Sequence, residues 1–352
     1  MYINSINYFR GIAIIFIVFG HSLGIANFSY STIIGNTIFN LTLGGTSLFV
    51  FISGFLFHHI FYVNFEFKRF MVKKIKYVLF PYLILSTFSI LYLLLRITID
   101  GLLSLNTTSP FYEKLSSISI FRLYLTGTPN FVGYWYIPFI MIVFVMSPFF
   151  IRFIKLNIRI KLLIVFFMLI CSAFMHRGIE ENIYSVFQNV LFFTPVYLLG
   201  MILSEKKDIV YFKFKGKDIH LLILIICIAL FQAYIGRFGN YEKDPFFFNG
   251  VDLMLVQKIL LCLFFMIFLY RFENSKNNLL DIIATNSFGI YFLHGIFITI
   301  IAQIKVMLDF SFTSNSFTIY LLITLLVFSL SLITTIFIKR TFPNYSRYLV
   351  GS

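Results

Sequence analysis

Acidic residues are scarce. The 352 residues hold 14 Asp and Glu against 28 Lys and Arg, and charged residues of both signs make up only 12%, about half the share of an ordinary soluble protein. None of the acids falls in the core of an apolar stretch; Asp252 and Asp281 merely flank such stretches. That absence argues against a proton- or cation-coupled carrier, whose relays are built from intramembrane carboxylates. Cysteine is rare too. Cys171, Cys227 and Cys262 all lie in apolar stretches, with no C-x-x-C pair and no metal-ligand spacing, so neither a disulfide framework nor a metal site is expected. The N-terminus has no basic region followed by a small-residue cleavage site. Its first apolar stretch carries Arg10 and His21 and reads as a retained helix rather than a signal peptide.

What the chain has in abundance is apolar side chain. Hydrophobic residues reach 59%, with 49 Phe and 21 Tyr, and the mean hydropathy is +0.91. A water-soluble domain of this size cannot hide so much apolar surface, whereas a bilayer accepts it facing outward. Candidate spans fall at 8–26, 43–62, 77–97, 131–151, 162–178, 187–203, 219–235, 252–270, 282–306 and 317–338. The expected fold is therefore an all-α, polytopic membrane protein of about ten transmembrane helices, with a single domain over residues 1–352. Nineteen Lys and Arg lie in the connections after even-numbered spans, among them Lys68, Arg69, Lys73, Lys74 and Lys76, and only five in those after odd-numbered spans. By the positive-inside rule both termini are cytoplasmic and the connection at about 98–130 is extracytoplasmic. The same distribution explains the net charge of +14 by topology, and no nucleic-acid partner is expected.

Polar groups inside the spans are the candidate functional residues. Arg10 and His21, eleven positions apart in the first span, share one helix face and lie about 16 Å apart along the axis. Arg10 is either a snorkelling anchor at the cytoplasmic interface or part of a site, and His21 either a packing donor or a buried base. Tyr291 and His294 share a face of the ninth span at a depth close to that of His21. Ser53-Gly54 in the second span permits close helix approach. His58 and His59 stand toward that span's cytoplasmic end. Trp135, the single tryptophan, stands near the outer end of the fourth span, where it belongs either to an interfacial aromatic belt or to a binding site.

Taken in order, these segments are similar to the acyltransferase 3 family of membrane-bound acyltransferases. The pattern Arg10-GIAIIFIVFG-His21, the aromatic-rich LFVFISGFLF containing Ser53, the tryptophan-bearing YWYIPFIMIVFVMSP and the late NSFGIYFLHG carry the resemblance, which runs from about residue 5 to 340. One segment departs from it. Where the family has Arg-x-x-Arg before a proline, this chain has FMVKKIKYVLFPYL, so that Lys73-x-x-Lys76, or Lys74 with Tyr77, stands in its place. Lysine keeps the charge and loses the planar fork that grips phosphate.

The resemblance implies transfer of an acyl group, most often acetyl, from cytoplasmic acyl-coenzyme A to a hydroxyl of a bacterial surface polysaccharide or its lipid-linked precursor, in the inner membrane. Acyl-coenzyme A would be a substrate, with no permanently bound cofactor. It implies His21 as catalytic base with Tyr291 or His294 orienting the acceptor or stabilising the developing oxyanion, Arg10, Lys73, Lys74 and Lys76 around the donor, and Ser53 and Trp135 toward the acceptor. Membrane lipids, the glycan and a second copy of the chain are the expected partners, and the extracytoplasmic hydrolase-like domain that some members append is not expected. The alternative from another class is a glycan or lipid carrier without chemistry.

Overall fold

The computed structural model describes residues 3–26, 32–103, 117–127, 131–179, 183–309 and 317–352. Among them the structure is helical, and one isolated β-bridge joins Arg177 to Glu242. The helices are α1 Asn4–His21, α2 Ile33–Thr42, α3 Gly45–Leu56, α4 Phe67–Lys74, α5 Phe80–Leu103, α6 Ser117–Thr126, α7 Tyr136–Val145, α8 Ser147–Ile154, α9 Ile158–Met175, α10 Ser185–Glu205, α11 Lys207–Phe214, α12 Asp218–Tyr234, α13 Leu253–Tyr270, α14 Asn278–Thr285, α15 Ser287–Met307, α16 Phe317–Thr341 and α17 Ser346–Val350.

Helix occupies every position expected for a span. Among the described residues seven helical stretches are long and apolar enough to cross a membrane, and the bent pair α7–α8 makes an eighth if it is one span. The two other expected spans fall on α12, which is shorter at 17 residues, and on α1, which carries Asn4, Asn7, Arg10 and His21. Helices such as α9 and α16 present Leu163, Phe166, Phe167, Ile333 and Phe337 more than half exposed, a surface matched to lipid and not to water. The chain is thus a polytopic membrane protein.

Three expected spans differ in detail, each for a physical reason. The fourth, expected as one helix over 131–151, bends by 56° between α7 and α8, where Pro148 cannot donate to the preceding turn. The ninth is divided at Asn286, whose side-chain amide donates to the Ile282 carbonyl at 2.7 Å and ends α14. The third extends back through α4, and the turn Ile75–Leu79 widens to π geometry just before Pro81, which relieves the clash between the proline ring and the carbonyl four residues earlier. A second π turn, Phe57–Phe61, continues α3 and contains His58 and His59; His58 Nδ1 lies 3.0 Å from the Ser204 hydroxyl. Within the connection at 98–130, α5 runs on to Leu103 and α6 is a separate helix; residues 104–116 and 128–130 lie outside the described residues.

α1 stands at the centre of the bundle, against α3, α13, α14, α15 and α16. Glu273 caps it: the carboxylate accepts from the Asn4 and Ser5 N–H groups at 2.9 and 2.8 Å, where a helix start favours negative charge. Elsewhere Lys161 at the start of α9 pairs with Glu205 at the end of α10, and Asp218 at the start of α12 with Arg271 after α13. Each pairing joins helix ends that the charge count assigns to one side.

The tightest helix contact lies between α3 and α10. A Cβ on Gly54 would overlap the Tyr197 carbonyl, and one on Gly200 would overlap the Phe51 carbonyl. Both obstacles are backbone, so neither can swing aside. Packing therefore accounts for Gly54, as Ser53-Gly54 implied. Gly54→Val is expected to force the two helices apart and to lower the amount of folded protein in membranes severalfold, read by immunoblot and thermal aggregation. The same change at Gly24, where nothing lies within 4 Å of an added Cβ, leaves both readouts near wild type.

Candidate active site

His21 is the last residue of α1, and His294 lies in the second turn of α15. Their rings are nearly parallel, at 9°, with Nδ1 of His21 2.8 Å from Nε2 of His294. The proton assignment follows from the other end of the pair. Nδ1 of His294 faces the carbonyl oxygens of Tyr291 at 2.6 Å and Ile290 at 3.3 Å. A carbonyl only accepts, so His294 Nδ1 carries the hydrogen and, in the neutral ring, Nε2 accepts. His21 Nδ1 is then the donor, which leaves the lone pair of His21 on Nε2. Among the described residues no carboxylate bonds to either ring; the backbone of α15 sets the tautomer of one histidine and, through it, of the next.

A turn at residues 131–135 closes the site. Gly133 has φ +90°, and a Cβ there would come within 2.9 Å of His21 Cε1 and 3.5 Å of His294 Cε1. Two tyrosine hydroxyls stitch this turn to α15: Tyr291 donates to the Gly133 carbonyl at 2.5 Å and Tyr134 to the Phe292 carbonyl at 2.9 Å. Gly295, next to His294, admits the turn, since its Cβ would meet the Val132 carbonyl at 2.8 Å. A small cavity of about 10 Å³, room for about one water, lies beside the pair, bordered by His21, Thr46, Gly133, Trp135, Tyr136 and Tyr291.

The structure thus brings His21, Tyr291, His294 and Trp135 together. Trp135 is 4% exposed. It stacks with Phe139 and Phe193, with the Arg177 guanidinium 4.0 Å above its ring, so the reading of an interfacial belt does not hold. Its indole N–H is buried without a hydrogen-bond partner among the described residues. Ser53 stands one step back, hydrogen-bonded to Tyr136, which borders the cavity. Arg10 is near the other end of α1, where it donates to Asn7 Oδ1 at 3.0 Å, and Asn7 in turn donates to Asp281 at 2.7 Å.

The lysines before Pro81 separate into two groups. Lys73 and Lys76, at i and i+3, border one open cavity of about 580 Å³ together with Glu66, Lys68, Arg69 and Tyr77. Lys74 turns the other way, its ammonium 4.3 Å from the centre of Phe144 and 5.2 and 5.4 Å from those of Phe70 and Phe61. Of the two alternatives for the replaced arginine pair, the geometry fits Lys73 with Lys76 and leaves Lys74 in an aromatic cage. Arg69, which belongs to the same basic cluster Lys68–Lys76, borders this cavity and a second one beside it. Gly133, Thr46 and Arg177 were not singled out in the sequence at all. The positive φ of Gly133 and the cation above Trp135 depend on the fold and have no short-range signal. Among the described residues no group of three or more His, Cys, Asp or Glu is disposed to hold a metal ion.

Fold and site together define a membrane-embedded protein whose chemistry-bearing groups are paired histidines inside the helix bundle. The chain belongs to the acyltransferase 3 family: the family model described as an acyltransferase domain matches residues 3–336. It is a membrane acyltransferase. No curated protein matches it, and no solved structure does.

Proposed function

We propose that the protein moves an acyl group, acetyl in the first instance, from cytoplasmic acyl-coenzyme A to a hydroxyl of a bacterial surface polysaccharide or its lipid-linked precursor, in the inner membrane. The observation that carries this reading is the His21–His294 pair, whose hydrogen-bond order leaves His21 Nε2 as a free base beside a cavity inside a family acyltransferase.

In this reading the acceptor hydroxyl oxygen attacks the thioester carbonyl carbon while His21 Nε2 takes the hydroxyl proton. The C–S bond breaks as the C–O ester bond forms, and the proton passes from His21 to the departing coenzyme A thiolate. His294 is a positioning residue: it holds His21 by accepting its Nδ1–H, and keeps that bond when the ring becomes cationic. Tyr291, its proton engaged by Gly133, holds the closing turn in place. The donor's phosphates rest among Arg69, Lys73 and Lys76, where convergent positive charge suits a polyanion. Arg10 lies about 16 Å from His21 along α1, a span suited to the pantetheine arm.

Membranes containing the protein are expected to release thiol from acetyl-coenzyme A, and surface glycans of cells that carry the gene to gain an acetyl mass increment that is absent without it. Equal glycan masses in the two strains, with no thiol release, would overturn the reading. Charge reversal by Lys73→Glu with Lys76→Glu is expected to raise the KM for acetyl-coenzyme A about tenfold or more, with the difference shrinking as salt is added. An unchanged KM would return these lysines to a purely topological role.

A further inference from the structure

The basic cavity beside α4 does not stand alone. A second open cavity, of about 190 Å³, adjoins it and shares Glu66, Arg69 and Lys73 with it. That is far more than the roughly 10–15 Å³ a single water needs, and enough for a flat bicyclic ring. Both cavities lie along the connection after the second expected span, which the charge count assigns to the cytoplasm.

The walls of the second cavity are of another kind. Ile60, Phe61, Phe65 and Phe70 supply apolar surface. The π turn that continues α3 and the short connection into α4 bring the rings together. Phe70 is buried, with its centroid 5.1 Å from that of Phe61 and 5.7 Å from that of Phe65. The caged ammonium of Lys74 ties Phe61 and Phe70 to Phe144 of α7, so the aromatic wall is anchored to the bundle. Asn64 and Glu66 are the exposed polar groups beside it.

The two cavities suit different parts of one ligand. The basic one suits phosphate. Phosphate gains nothing from aromatic walls, and a lipid tail gains nothing from an amide and a carboxylate. A purine uses both: its face stacks on aromatic rings, and its edge carries an amine donor and ring-nitrogen acceptors. Asn64 can donate and accept, and Glu66 accepts. In coenzyme A the phosphates are attached directly to the adenosine, so a base subsite has to adjoin the phosphate subsite, as this cavity does.

We propose that the aromatic cavity is the subsite for the adenine base of the donor, and that the protein therefore draws its acyl group from free acyl-coenzyme A and not from a carrier protein, whose phosphopantetheine thioester has no base. The proposal rests on the acyl-transfer reading above and adds what distinguishes one thioester donor from another.

The test measures thiol release by the full-length protein in membranes. Wild-type protein is expected to be inhibited, competitively with acetyl-coenzyme A, by adenosine 3′,5′-bisphosphate at a concentration about tenfold or more below that needed of fructose 1,6-bisphosphate, which has as many phosphates on a sugar and no base. Equal inhibition by the two overturns the base subsite. The second arm compares acetyl-coenzyme A with S-acetyl-4′-phosphopantetheine as donors. Wild-type protein is expected to prefer the former, and Asn64→Trp, which fills the cavity, to lower the ratio of the two kcat/KM values about tenfold or more. A folding defect lowers both values together and leaves their ratio as it was, so an unchanged ratio also overturns the subsite. Failure of the acyl-transfer reading itself is a different result: wild-type membranes then release thiol from neither donor.

Discussion

His21→Gln is expected to lower acyl transfer about 10²-fold or more, and to be as inactive as His21→Ala. Glutamine keeps a hydrogen-bonding amide in the position but takes up no proton at neutral pH. A packing role for His21 therefore predicts rescue by glutamine, and a base role predicts none. The measurement is thiol release from acetyl-coenzyme A in membranes, normalised to protein level. The partner histidine makes the reading sharper. His294→Gln can still accept the His21 Nδ1–H bond through its amide oxygen, whereas His294→Leu cannot, so the glutamine variant is expected to retain clearly more activity than the leucine variant. Wild-type rates in His21→Gln would remove the central chemical claim and leave the helix bundle untouched.

The second large effect is expected from a residue with no side chain. Gly133→Ala meets two obstacles at once. Its φ of +90° is one that L-residues rarely adopt, and the new methyl would stand 2.9 Å from His21 Cε1 and 3.4 Å from Nδ1. The strain is relieved by moving the His21 ring or the turn, and a displacement of about 1 Å at a reacting group costs on the order of 10²-fold in rate. The expected result is a loss of that size in kcat, with protein level and acetyl-coenzyme A affinity close to wild type. Wild-type turnover in this variant would show that the turn does not hold the histidine.

Much of this was legible in the chain because membranes impose simple rules. Apolar runs of the right length locate helices, and basic connections alternate with basic-poor ones. His21 and His294 were identifiable as partners because each is an ionisable group at similar depth where such groups are expensive. Four things were not legible. α2 is a ten-residue helix with Asn36, Thr37 and Asn40 along it, and it lacks the apolar length that marks a span. It is held by contacts from far along the chain: Asn40 accepts from Gly239 at 3.0 Å and donates to Ala229 and Arg237 carbonyls, and Lys258 caps its C-terminal end. The inward turn of Lys74 follows from a π turn and three rings on different elements. The tautomer chain through His294 depends on a local carbonyl contact within α15, which composition does not register. Tyr291 was expected to orient the acceptor or stabilise an oxyanion; its hydroxyl donates to the Gly133 carbonyl, a contact that only the fold brings about.

The long-range character of those contacts bears on biogenesis. The carboxylate that caps α1 comes from Glu273, the ammonium that caps α2 from Lys258, and the ring that orients His21 from His294. Each of these partners is synthesised more than 200 positions after the group it serves. A chain arrested before α13 therefore lacks all three partners, and its first helices stand without their caps. The His21 ring acquires its hydrogen-bond partner only as the last third of the protein arrives, so the paired arrangement forms late in synthesis.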